Sequence, residues 1–137
     1  MSESFDVSSR EKWVKTPVWV EAGETLLFGA EGTWVDFFIP CSADGYPAAW
    51  LYALNRPPRI LDRGRYFRLM GRISPDGKQP DSDDPAKTFT IGEGGERLCP
   101  SAGCLFVFVN DRAGFYWNNF GSVRLSVTRG PAPARAG

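Results

Sequence analysis

Apolar residues in this chain fall in short runs broken by Gly, Pro and Asp, the punctuation of many short strands rather than of helices. Val18-Trp19-Val20 leads into a turn at Ala22-Gly23-Glu24. Thr25 to Ala30 reads as a strand and Glu31-Gly32-Thr33 as the next bend. Trp34-Val35-Asp36-Phe37-Phe38-Ile39 reads as one strand ending at Pro40. From Tyr66 to Ile73 the pattern alternates, with Phe67, Leu69, Gly71 and Ile73 on one face and Arg68 and Arg72 on the other. Thr88 to Ile91 is a short strand. Leu105 to Val109 is apolar on both faces, as a central sandwich strand is, and Val123, Leu125 and Val127 alternate with Arg124, Ser126 and Thr128.

These elements predict an all-β fold, a sandwich or barrel. Residues 1–129 form the expected single domain, and 130–137, rich in Pro and Ala, a disordered tail. Only Ala48 to Leu54 suggests one or two helical turns, stopped by Pro57-Pro58. Arg56 to Arg65, with four arginines, and the acidic, proline-rich Ser74 to Lys87 read as surface excursions.

Composition narrows the chemistry. With 16 basic and 16 acidic residues the chain has no net charge, which argues against general nucleic-acid binding. Histidine is absent, so His-based acid–base catalysis, Ser/His or Cys/His nucleophiles and His-rich zinc sites are excluded. No apolar run approaches the roughly 18–20 residues of a membrane span. The polar start Met1-Ser2-Glu3-Ser4 is not a signal peptide, so the expected location is cytoplasmic, or outside after release by another route. Cys41, Cys99 and Cys104 lean toward reduced thiols, although Cys99 and Cys104 flank a turn and could pair if oxidised.

The candidate chemistry lies in Asn110-Asp111-Arg112-Ala113-Gly114-Phe115-Tyr116-Trp117-Asn118-Asn119-Phe120-Gly121-Ser122, between two apolar segments. Carboxylate and carboxamide oxygens are hard ligands of the kind calcium selects, and a loop adds backbone carbonyls. The same residue types are also common in turns for conformational reasons alone. The cluster Asp81, Asp83, Asp84 lacks the spacing of a calcium loop and reads as solvated.

The residues resemble the bacterial calcium-dependent galactose-binding lectins of the PA-IL (LecA) type, which are jelly-roll-like β-sandwiches. Ala22-Gly23-Glu24 through Ala30-Glu31-Gly32-Thr33-Trp34 resembles their early turn, strand and corner, and Leu69-Met70-Gly71-Arg72-Ile73 their middle strand. Gly103 to Asp111 resembles their strand ending in Asn-Asp, and Gly114 to Ser122 their Asn-Asn-x-Gly-Ser loop. The resemblance spans about residues 13–129 and is poorest over 40–65.

It implies a calcium ion held by the side chains of Asp111, Asn118 and Asn119, by the carbonyl of Phe115, and by a carbonyl at Asp36 or Phe37. It implies a galactose-type glycan whose vicinal hydroxyls complete the shell, with Asp111, Asn118 and the Arg112 carbonyl also contacting the sugar. It further implies a homo-oligomer, a dimer or tetramer, in which weak sites add. The His and Gln with which that family contacts an outer hydroxyl have no counterpart here; Trp50, Tyr52 and Asn55 are the candidates to replace them, and Trp117 is a candidate sugar platform.

Two other functions compete with a non-catalytic lectin. One is a lectin-fold module for protein interaction, without calcium or sugar. The other is a glycosidase, for which Asp36 and Asp111 are the one nominable carboxylate pair.

Overall fold

The computed structural model describes residues 2–37, 39–47, 65–81, 84, 86–111 and 116–130. Two four-stranded antiparallel sheets face each other. The first runs in the order β1 (Ser2–Ser8), β13 (Ser122–Gly130), β3 (Thr25–Glu31), β10 (Gly94–Leu98). The second runs β2 (Val14–Val20), β11 (Gly103–Val109), β8 (Leu69–Ser74), β9 (Thr88–Thr90). Alternation along each strand delivers the core: Val7, Leu26, Phe28, Val123, Leu125 and Val127 from one sheet meet Val18, Val20, Leu69, Leu105, Val107 and Val109 from the other. The expected all-β sandwich is the observed fold. Among the described residues no helix is long and apolar enough to cross a membrane.

Two small ladders lie outside the main sheets. β12 (Asn119–Phe120), β4 (Trp34–Asp36) and β5 (Ile39–Cys41) form one, and β6 (Tyr46–Pro47) pairs with β7 (Arg65–Tyr66) in the other. Here two expectations fail. The run 34–39 is not one strand: β4 pairs with β5 as a hairpin, with Phe37 at φ 58° in the turn. Pro40 is tolerated within β5 because that strand is an edge and needs no donor on its outer side. The run 66–73 is likewise broken at Phe67, at φ 64°, whose N–H donates to the Asn110 carbonyl, while Asn110 N–H donates to the Arg68 carbonyl.

Strands β1 and β10 lie where no strand was expected. β1 alternates weakly, with Val7 alone of its side chains fully buried, and on its outer side Ser2 and Ser4 share hydroxyl hydrogen bonds with Thr128 and Ser126. β13 extends through Gly130, into the segment expected to be tail. The possible helix at 48–54, the arginine loop at 56–64 and residues 131–137 lie outside the described residues.

Cys99 and Cys104 are not joined. Cys99 Sγ lies 3.8 Å from the Arg97 carbonyl, and Cys104 Sγ 3.5 Å from that of Thr16. Burial raises both thiols, with Arg97 opposing at Cys99 and Lys15 at Cys104. Trp34 is fully buried, whereas Trp19 is 43% exposed.

Candidate functional site

The site forms where β11 ends. The strand runs straight into Asn110 and Asp111, which are buried although polar. Leu69 pairs with Val109, and the reciprocal bonds between Phe67–Arg68 and Asn110 hold the exit of the strand in place. The chain returns as a 3₁₀ turn at Tyr116–Asn118 and continues as β12. The Tyr116 hydroxyl donates to the Val109 carbonyl at 2.7 Å, tying the return to the exit. Its ring also packs near Lys12, whose ammonium lies 5.7 Å from the Tyr116 centroid, 4.7 Å from Phe108 and 5.0 Å from Trp13.

Asn119 is the hub. Its backbone pairs with Asp36 in the β12–β4 ladder. Its amide nitrogen donates to Asp111 Oδ2 at 2.8 Å and to the Ser9 carbonyl at 2.7 Å. These two acceptors fix the orientation of the carboxamide, so Oδ1 is directed away from them. Asn118 is tied to the β4–β5 turn: its carbonyl accepts from Phe37 N–H at 3.1 Å. Ser9 closes the far side, donating through both N–H and hydroxyl to the Gly121 carbonyl.

Asp36, Asp111, Asn118 and Asn119 are therefore brought together, and all four are buried. The Tyr46 hydroxyl donates to Asp36 Oδ2. Among the described residues, Asn118 Oδ1 and Asn119 Oδ1 are buried with no hydrogen-bond donor. A buried acceptor left unmade costs about 1–3 kcal/mol, so two in one place mark an arrangement built for something other than internal hydrogen bonding. Among the described residues there is no cluster of three His, Cys, Asp or Glu suited to a metal. The donor set is instead carboxylate plus carboxamide, hard oxygens whose chemistry fits calcium.

Phe37 and Trp117, 53% and 66% exposed, lie at the rim. Arg112, Phe115 and Trp50 lie outside the described residues. Sequence reasoning assigned no role here to Ser9, Tyr46 or Tyr116. Asn119 reaches across 110 positions to Ser9, a pairing no local pattern announces. Asp44 belongs to a turn: Gly45 N–H donates to Ser42 O, and Asp44 Oδ1 accepts from Glu93 N–H at 2.7 Å.

No family model matches the sequence, and no curated protein matches it. The solved structure of the EclA N-terminal domain, a PllA-like lectin, aligns with a TM-score of 0.64 at 21% identity, covering 93% of this chain and 95% of its own. That likeness shows the fold. Aeromonas hydrophila PliG, a periplasmic lysozyme inhibitor of g-type lysozyme, aligns at a TM-score of 0.44 and 10% identity over 95% of this chain and 85% of its own, which is too distant to carry an argument.

Proposed function

We propose that this protein is a non-catalytic lectin that holds a galactose-type sugar through a calcium ion at the end of β11. The observation that carries the reading is the pair of donorless, buried carboxamide oxygens of Asn118 and Asn119 beside the Asp111 carboxylate. The sandwich shared with a PllA-like lectin supports it, as do the residues that resemble the galactose-binding lectins.

Asp111, Asn118 and Asn119 would hold the ion through side-chain oxygens, with carbonyls from Phe115 and from Asp36 or Phe37. A bound calcium supplies a coordination shell that two vicinal hydroxyls can complete. Asp111 also accepts hydrogen bonds from those hydroxyls, and its charge strengthens them. Asn119 orients Asp111, and Ser9 orients Asn119. Trp117 presents an aromatic face at the rim for the apolar side of a sugar ring.

Catalysis by the two carboxylates is disfavoured by their surroundings. Asp36 has no exposed surface and accepts from Tyr46, so it is a support rather than an acid facing substrate.

The test is thermal unfolding in EDTA, then in excess calcium, then with galactose added. Calcium at about 100 times its Kd adds about 2.7 kcal/mol, a shift on the order of several degrees for a domain of this size. The lectin reading requires a calcium shift that increases with galactose. A calcium shift without a sugar response rejects the galactose assignment, and no calcium shift rejects the site.

A further inference from the structure

A second cleft lies at the other end of the β11–β8 pair, about 20 Å along the strands from Asp111 at the usual rise per residue. It is walled by the loop between β8 and β9 on one side and by Arg97, Cys99, Pro100 and Ser101 on the other, and encloses about 540 Å³. That volume is in the range of small-molecule sites, about 300–1,000 Å³. Ile73, Phe89 and three prolines give it an apolar lining.

Its charge is unlike that of the chain as a whole. Arg72, Lys78, Lys87 and Arg97 line it, against the carboxylates of Asp76 and Asp81. Asp76 is already engaged: its Oδ1 accepts from Lys78 N–H at 2.9 Å and from the Ser74 hydroxyl at 3.0 Å. Those hydrogen bonds, led by the Lys78 N–H, hold its carboxyl below the usual range. Among the described residues, Lys78, Lys87 and Arg97 enter no ion pair. Arg97 is held over the Phe89 ring at 4.8 Å, which fixes the stem of its guanidinium.

The wall is braced at both ends. Gly77 N–H donates to Ser74 O and the Ser74 hydroxyl to Lys78 O; beyond, Lys87 N–H and the Thr88 hydroxyl donate to Asp84 O, and Ala86 N–H to Asp84 Oδ1. Lys78 and Lys87 are thereby presented on ordered backbone, so less freedom is lost when they bind. A neutral protein that places three cations, in no ion pair among the described residues, around one cleft of mixed polar and apolar lining has the chemistry of an anion site.

We infer that this cleft binds a small organic molecule through an oxyanion, a carboxylate or sulfate, using Lys78, Lys87 and Arg97. The site is independent of calcium and of galactose.

The experiment follows amide resonances of the whole protein in calcium-free, low-salt buffer while sodium sulfate, galacturonate or neutral galactose is added. Saturable shifts confined to residues 76–81, 86–89 and 97–101 are expected with the anions and not with galactose. Tighter binding of galacturonate than of sulfate identifies the organic acid as the ligand class, and the reverse identifies the sulfate group. The double variant Lys78→Gln, Lys87→Gln should weaken binding at least tenfold, and both lysines are exposed, so the fold is retained. Asp111→Ala should leave anion binding unchanged. Shifts that fail to saturate, that map elsewhere, or that persist with the same Kd in the double variant would overturn the assignment.

Discussion

Asp111 brings a carboxylate into the buried cluster, where its Oδ2 accepts from the Asn119 amide. On the proposed calcium site, Asp111→Ala should abolish any rise in Tm with calcium, because it deletes the anionic ligand proposed for the cluster; an unchanged calcium shift in the variant would reject its role. Asn119 serves two ends at once, and its replacement should be felt without any ion. Asn119→Ala removes the donor to both Ser9 O and Asp111 Oδ2, leaving two acceptors unmade at about 1–3 kcal/mol each. Urea unfolding in EDTA measures this, and a loss below about 0.5 kcal/mol would mean that water replaces the amide, since surface-like changes stay within that range. Tyr46→Phe is narrower. It takes one hydroxyl from the Asp36 carboxylate, which is wholly buried, and should cost about 1–3 kcal/mol by the same measurement.

At the level of elements, the site is a meeting of a strand end, a 3₁₀ turn and a hairpin turn, and backbone conformation decides whether they meet. Phe37 holds φ 58° while mostly exposed, a conformation that costs a residue with a Cβ roughly 1–2 kcal/mol. Phe37→Gly should therefore leave stability in EDTA equal or higher, while any loss of sugar affinity would report the ring itself. Gly121 is the converse. At φ 83° an added Cβ would stand 3.3 Å from Thr33 O and 3.4 Å from Trp34 Cα, so Gly121→Ala should destabilise by at least about 1 kcal/mol. Equal urea midpoints for the two proteins would show that the turn relaxes freely. These positions also explain what was legible beforehand. Leu105–Val109 and Val123–Val127 announced central and half-buried strands because burial on two faces or one writes itself into the pattern. Asp111, Asn118 and Asn119 stood out because carboxylate and carboxamide oxygens cluster there along the chain. The breaks at Phe37 and Phe67 were hidden, since an aromatic residue in a strand-like run gives no sign of a positive φ, and both turns are held by bonds from distant segments, Asn118 and Asn110. β1 and β10 were hidden because Ser, Glu and Gly on an outer face make no apolar alternation.

On the scale of the molecule the sandwich separates its two ends, and a perturbation at one should not reach the other. The end remote from Asp111 is closed by Glu24, in the turn before β3, and Arg129, near the end of β13, with Oε1 and Nη2 2.9 Å apart. The Glu24 carboxyl is held below the ordinary glutamate range, first by the hydrogen bond from Arg129 and then by that from Glu21 N–H, with burial opposing. A carboxyl lowered on folding adds stability that is fully present above its unfolded pKa and is lost as pH falls through the folded one. The pair is partly solvated, so its contribution is modest, about 0.5–1 kcal/mol. Glu24→Gln should lower stability by that amount at neutral pH, and the gap to the parent protein should close as acid protonates Glu24. Urea midpoints measured at neutral and acidic pH without calcium test this. A gap that persists undiminished in acid would assign the loss to packing rather than charge. Because β3 and β13 run from this turn to the opposite edge as paired ladders, on the proposed calcium site Glu24→Gln should leave the calcium Kd unaltered, whereas Asp111→Ala should change calcium binding and leave the acid dependence of the Glu24 effect as it was. Coupling between the two, in either direction, would mean that the sheets transmit strain along their length and that neither end can be treated alone.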